Sequence, residues 1–221
     1  ENEKLDLENR KLELARILAA VKATIPTGVH LIVVTKTFPS SDVEILHKLG
    51  VAEFGENRDQ EGREKAPKTP GKWHFQGQLQ SNKLKSICNW ADVIQTVDSL
   101  RYVELIERAT TKPLEVFIQV SLEGEKSNEK RGGTDPDSLK DIADSIMMTR
   151  NLKLQGLMAV APLDEEPKSA FQRLAKIHQE FKESYPNSPY LSAGMSGDYL
   201  TAIEYGATHV RIGSSILGSR S

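Results

Sequence analysis

The amino-acid sequence predicts an α/β protein folded as a single (β/α)8 (TIM) barrel with one additional helix at its N-terminus. Three observations lead to this reading. Short apolar, β-branched runs alternate with helix-like segments, and the alternation repeats eight times. Strands separated by helices pair in parallel, because each crossover returns the chain to the same end of the sheet. Eight such units in 221 residues suit a closed barrel better than a doubly wound open sheet. No shift in composition and no Pro-, Gly- or Ser-rich linker divides the chain, so residues 1–221 read as one domain.

The elements follow in order. Leu5, Leu12, Ile17, Leu18 and Val21 recur at helical spacing among charged residues, so residues 1–28 form one long amphipathic helix that ends near Pro26 and packs on the barrel. Val29–Thr35 is the first strand, and Ser40-Ser41-Asp42 opens the helix that carries Val43, Ile45, Leu46 and Leu49. Val51–Phe54 precedes a polar helix from Arg58; Trp73–Phe75 precedes a helix from Asn82; Val93–Val97 precedes Ser99–Ala109. In the second half, Leu114–Val120 leads to a helix from Asp137, Leu154–Ala161 to one from Pro167, Tyr190–Ser192 to one from Asp198, and Val210–Ile212 to a short closing helix.

Composition narrows the function. Lys and Arg total 29 against 31 Asp and Glu, a net charge of −2, with 38% hydrophobic and 27% charged residues. Such a near-neutral balance argues against a general affinity for nucleic acid, which needs clustered cations to displace counterions. No apolar run reaches the roughly 20 residues of a membrane span. Cys88 is the single cysteine, which excludes an internal disulfide and suits a reducing compartment; with no secretory leader pattern, the expected location is the cytoplasm.

In a barrel of this kind, sites form at the carboxyl ends of the strands. Lys36 directly follows the first strand, at the mouth or partly inside it, where desolvation favours a free amine able to form a Schiff base. The plainer reading is a lysine leaving a strand toward solvent. Gly194-Met195-Ser196-Gly197-Asp198 precedes one helix and Gly213-Ser214-Ser215 another. Small residues and helix N-termini let backbone amides approach an anion, so the two loops together predict a phosphate cup, although each alone is an ordinary glycine-rich turn. Arg211, flanked by Val210 and Ile212, points into the barrel, where it needs either an ion pair with Glu53 or Glu56 or a ligand.

Asn57, His74, Gln78, Asn82 and Met158 complete the mouth candidates, with His74 more simply structural and Met158 core or pocket wall. The polar loop from Glu123 to Asp135 reads as an active-face loop. Lys83 and Lys85, with Arg63, Lys65 and Lys68, read as solvated helix faces. No His/Cys/Asp metal spacing appears, nor a Gly-x-Ser-x-Gly elbow, a phosphate-binding loop ending in Gly-Lys-Ser/Thr or a Rossmann fingerprint, which removes the commonest enzyme classes.

Taken together these residues resemble the pyridoxal phosphate homeostasis proteins, a fold-type III group whose barrel is similar to the N-terminal domain of bacterial alanine racemase. The resemblance covers nearly the whole chain. It rests on Val34-Thr35-Lys36-Thr37, Phe54-Gly55-Glu56-Asn57 with Gln60-Glu61, Trp73-His74-Phe75 with Gly77 and Leu79-Gln80-Ser81-Asn82-Lys83, Gly156-Leu157-Met158, Gly194-Met195-Ser196 and Val210-Arg211-Ile212-Gly213-Ser214. It implies that Lys36 holds pyridoxal 5′-phosphate (PLP) as a Schiff base, that Ser196, Gly213 and Ser214 hold its phosphate, and that Asn57, His74 and Met195 line the pocket. It also implies that Arg211 faces the pyridine nitrogen. A permanent cation there keeps that nitrogen unprotonated and weakens the ring as an electron sink. Thr35, Gln76 and Ala193 depart from the usual Ser, aliphatic residue and Met, which bears on ligand affinity more than ligand identity.

The function so implied is a PLP-binding protein without robust catalysis, acting in intracellular vitamin B6 homeostasis, with PLP-dependent apoenzymes as candidate recipients. A racemase takes a second acid/base from a C-terminal β-domain, and Ser221 closely follows the eighth strand and its helix, so neither that domain nor its dimer is expected; the expected state is a monomer. The alternative is a small PLP-dependent racemase, lyase or decarboxylase whose base is His74 or a residue of the Glu123 to Asp135 loop. A third reading is a class I aldolase in which Lys36 attacks a phosphorylated keto sugar.

Overall fold

The computed structural model describes residues 1–124 and 132–219. Its strands are β1 (His30–Val34), β2 (Glu53–Glu56), β3 (Lys72–Phe75), β4 (Val93–Val97), β5 (Leu114–Gln119), β6 (Leu152–Met158), β7 (Tyr190–Ser192) and β8 (His209–Ile212), and they close into a parallel barrel in chain order. Closure is made by β8 lying beside β1, with Leu31 opposite Val210 and Val33 opposite Ile212. An open sheet lacks that pairing, so the doubly wound alternative is excluded. Helix α1 (Asn2–Ala23) precedes the barrel. After β1 to β8 in turn come α2 (Ser40–Lys48), α3 (Asp59–Lys65), α4 (Leu84–Trp90), α5 (Leu100–Ala109), α6 (Leu139–Met147), α7 (Pro167–Ser184), α8 (Tyr199–Glu204) and α9 (Ser214–Leu217).

Local chemistry accounts for several helix starts. Ser99, in extended conformation, accepts the Tyr102 N–H at 3.2 Å and caps α5. Pro167 stands at the first position of α7, where its missing N–H costs nothing. The main core lies between barrel and helices. Phe54 and Trp73 stack there with centroids 5.0 Å apart, and Trp90 of α4 meets Phe75 of β3 edge-on; burying each such ring contributes about 1.5–3 kcal/mol. A separate small cluster, Val93, Phe117 and Met158, comes from the adjacent strands β4, β5 and β6.

The N-terminal helix departs from the sequence reading. It buries Leu14, Leu18 and Val21, whereas Leu5 and Leu12 are 60% and 70% exposed. Only its second half therefore turns an apolar stripe onto the barrel. Arg10 fixes its position by donating to both Asp42 carboxylate oxygens and to the Leu217 carbonyl, which ties α1 to α2 and α9. Among the described residues no helix is long and apolar enough to cross a membrane.

Candidate functional site

Lys36 leaves the carboxyl end of β1 and is exposed, at the mouth rather than sunk into the barrel as the sequence had allowed. Among the described residues its amine has no hydrogen-bond or ion-pair partner. Its backbone neighbours, by contrast, are held on both sides. Lys65 Nζ donates to the Thr35 carbonyl at 2.8 Å, and the Thr37 N–H donates to Glu61 Oε1 at 3.0 Å. Thr37 has φ = 69°, a left-handed conformation that costs a β-branched residue on the order of 1–3 kcal/mol and is kept where surrounding bonds overrule it. The result is a braced backbone presenting a side-chain amine without a partner among the described residues.

Lys65, expected on a solvated face, is instead buried at 5% exposure. Its ammonium and the Thr35 hydroxyl both donate to Glu56 Oε1, at 2.8 and 2.5 Å. Glu56 Oε2 has no hydrogen-bond partner among the described residues. Burial first, and then the neighbouring Glu61 carboxyl, push Glu56 up to about 7 in spite of Lys65 and Thr35. Burial acts in the same direction on Glu61, but the neighbouring Glu56 carboxyl and the bond from the Thr37 N–H, with Lys65 and Arg58 nearby, leave Glu61 below the usual range. Folded protein thus keeps on Glu56 a proton that the unfolded chain, with the ordinary value of 4.5, releases. That contribution is present at low pH and is lost as pH rises through about 7. Glu56→Gln, which cannot ionise, should therefore gain stability relative to the parent between about pH 5 and about pH 8, by at most roughly 3 kcal/mol. Urea midpoints at the two pH values measure this, and parallel pH profiles for both proteins contradict it.

On the same face, the loops after β7 and β8 meet. Ser196 Oγ accepts the N–H groups of Gly213 and Ser215 at 3.3 and 3.1 Å, and the Met195 N–H donates to Asp198 Oδ1 at 2.7 Å. Gly194 takes φ = 98°, and a Cβ there would stand 2.8 Å from both Ala202 Cβ and Tyr199 Cα, so this turn needs glycine. Met195 and Ser214 are exposed at the rim. Asn57 follows β2, and its Oδ1 is buried without a partner among the described residues, as is Gln76 Oε1 after β3. Asn57 also lines a cavity of about 330 Å³ with Arg58, Gln78, Gln80 and Lys83. Of the loop expected at the active face, residues 125–131 lie outside the described residues. Gly133 beyond them donates its N–H to Asp98 at 3.0 Å.

Arg211 enters the barrel interior, 3% exposed, as its place between Val210 and Ile212 implied. It pairs directly with neither Glu53 nor Glu56. Nη1 donates to Ser192 Oγ at 2.7 Å and Nη2 to the Ala159 carbonyl at 3.1 Å. Ser192 Oγ donates to Gln95 Oε1 at 2.6 Å, and Gln95 Nε2 lies 2.9 Å from His74 Nδ1. His74 Nε2 is 2.9 Å from Glu53 Oε1. An arginine can only donate and a carboxylate only accept, so the line runs one way, with His74 Nδ1 accepting from Gln95 and its Nε2–H donating to Glu53. Burial lowers Arg211 to about 10, which leaves it cationic at neutral pH. At the far end burial would raise Glu53, but bonds from His74 and His30 prevail and hold it at about 2. The barrel interior thus carries a fixed cation and a fixed anion joined by a polarised relay.

The alanine racemase N-terminal domain family matches residues 12–221. A protein of Corynebacterium glutamicum called pyridoxal phosphate homeostasis protein is 41% identical over 207 residues, 88% of this chain and 92% of that one. The chain belongs to the pyridoxal phosphate homeostasis protein family. A relative of the same name from Mycobacterium tuberculosis is 33% identical, across 96% of this chain and 95% of its own. Among solved structures, PipY of Synechococcus elongatus, with PLP bound, superposes at a TM-score of 0.82 with 28% identity, covering 93% of this chain and all of that one. Alanine racemase of Clostridium difficile shares the fold at a TM-score of 0.79 and 16% identity, and this chain spans 57% of it.

Within this homeostasis-protein barrel, Lys36, Asn57, Met195, Ser196, Gly213 and Ser214 all follow carboxyl strand ends, while His74 and Arg211 lie within strands in the interior. Both ring nitrogens of His74 are engaged, by Gln95 and Glu53. Met158 is buried core. Sequence reasoning missed Gln95 and Ser192, both fully buried; the signal was a polar side chain inside an otherwise apolar strand.

Proposed function

We propose that this protein binds PLP through Lys36 and serves intracellular PLP homeostasis as a carrier without robust catalysis. The observation that carries the reading is the placement, on one barrel face, of a Lys36 amine unpartnered among the described residues and the Ser196, Gly213 and Ser215 junction, in a barrel similar to that of PipY, which has PLP bound. The residues fit the group in other respects. Asn57 Oδ1 and Gln76 Oε1 are buried acceptors without partners, and the donors Arg211 does not spend on Ser192 and Ala159 have none among the described residues.

PLP supplies an aldehyde for an amine and a ring able to withdraw electrons. Lys36 Nζ is the nucleophile toward that aldehyde, and the braced Thr35 and Thr37 backbone aims it. Ser196 and the Ser214 amide, beside the Gly213 and Ser215 amides that here donate to Ser196 Oγ, would hold the phosphate by charge-assisted hydrogen bonds. Arg211, cationic at neutral pH, opposes protonation of the ring nitrogen and so weakens carbanion stabilisation. His74 has no free nitrogen to serve as a base, which favours the carrier over a racemase or lyase. Its location is the cytoplasm, its state a monomer, and PLP-dependent apoenzymes are its recipients.

Turnover of a panel of amino acids by the purified, PLP-loaded protein tests the carrier reading: no product beyond one equivalent is expected, and sustained product formation overturns it. Ser196→Ala should weaken PLP retention about tenfold to a hundredfold, since it removes one bond worth roughly 1.5–3 kcal/mol. Pyridoxal, which lacks the phosphate, should be indifferent. Equal weakening of both ligands removes Ser196 from the phosphate site.

A further inference from the structure

The barrel end opposite Lys36 carries a second set of chemical groups. His30, Glu53 and His209 are the first residues of β1, β2 and β8. One ligand-type atom from each lies within 4.8 Å of the other two. We propose that these three side chains bind a divalent cation of the zinc type at the N-terminal face of the barrel. The proposal does not depend on PLP binding.

Barrel interiors are ordinarily filled with branched apolar side chains, and buried polar groups are costly unless paired. Glu53 has its pairs already: His30 Nδ1 lies 2.7 Å from Oε2, and His74 Nε2 lies 2.9 Å from Oε1. Satisfying that carboxylate leaves His209 unexplained. Its ring is 6% exposed and stacks on His30 with centroids 4.2 Å apart and planes 6° from parallel. His209 Nδ1 is 2.8 Å from Thr208 Oγ1, which itself donates to the Leu191 carbonyl. The Nδ1 proton therefore goes to Thr208, and Nε2 keeps a lone pair with no partner among the described residues.

Two imidazoles and one carboxylate make a donor set suited to zinc, with a fourth position left for water. Supporting bonds are in place, since Thr208 orients His209 and His74 orients Glu53. Tetrahedral bonding at about 2.0–2.2 Å sets ligand atoms roughly 3.3 Å apart. The 2.7 Å contact of His30 with Glu53 must open a little, and the His30 side chain, 47% exposed, has the room to adjust. On binding, His30 gives up its Nδ1 proton and offers that lone pair to the ion. The ligands come from positions 30, 53 and 209, a separation that no local spacing motif reveals.

Isothermal titration of tag-free protein with zinc chloride tests this. One ion per chain is expected, with a Kd of about 1 μM or tighter. His30→Gln, at a half-exposed position, should weaken binding at least about tenfold, as should His209→Gln. His47→Gln, at an exposed histidine on α2, should leave it unchanged. Absence of stoichiometric binding, binding unaffected by His30→Gln, or equal loss in His47→Gln would overturn the site.

Discussion

Lys36→Ala should give a colourless protein that retains no covalently reducible PLP, while the barrel remains folded. The amine makes no hydrogen bond or ion pair among the described residues and is exposed, so its removal should change stability by no more than about 0.5 kcal/mol. The neighbouring devices remain: Lys65 still holds the Thr35 carbonyl, and Glu61 still holds the strained Thr37. Circular dichroism melting checks the fold and visible absorbance checks the attachment. A yellow variant whose colour bleaches with borohydride would place the attachment on another lysine.

Arg211→Glu should act on both fold and ligand. The new carboxylate would stand against Ser192 and the Ala159 carbonyl in place of the donors they now receive. An uncompensated buried charge of this kind costs about 3–5 kcal/mol, and a urea midpoint measures it. In the folded fraction, a carboxylate facing the ring should favour protonation of the pyridine nitrogen. Isotope-labelled PLP reads this as a change in the ring-nitrogen chemical shift, and an unchanged shift shows that Arg211 does not face it. Half-transamination of bound amino acids should stay near background, because His74 remains committed to Gln95 and Glu53 rather than becoming a base.

Where the chain is locally apolar, the fold could be read from it. Val93–Val97 and Tyr190–Ser192 are strands with the expected bounds, because a β-branched run or a short apolar run between turns leaves few alternatives. Charge patterns misled where burial is set by tertiary neighbours. Lys65 sits among charged residues at helical spacing, yet the folded chain brings Glu56 and Thr35 around its ammonium. Leu5 and Leu12 match a helical stripe, but the stripe that α1 buries is Leu14, Leu18 and Val21, and Leu12, about 200° round the helix from Leu14, faces away from it. The mouth residues were legible because strand ends are marked in sequence. The relay was not: Ser192 and Gln95 are bonded across 97 positions, and only closure of the barrel brings them together.

The most direct test of the account is the position of the adduct after borohydride reduction of the protein as isolated, mapped by peptide mass spectrometry. The account expects a single reduced pyridoxyl group on Lys36. Reduction at Lys83, which lines the neighbouring cavity, at Lys130, which lies outside the described residues, or at no lysine would contradict it.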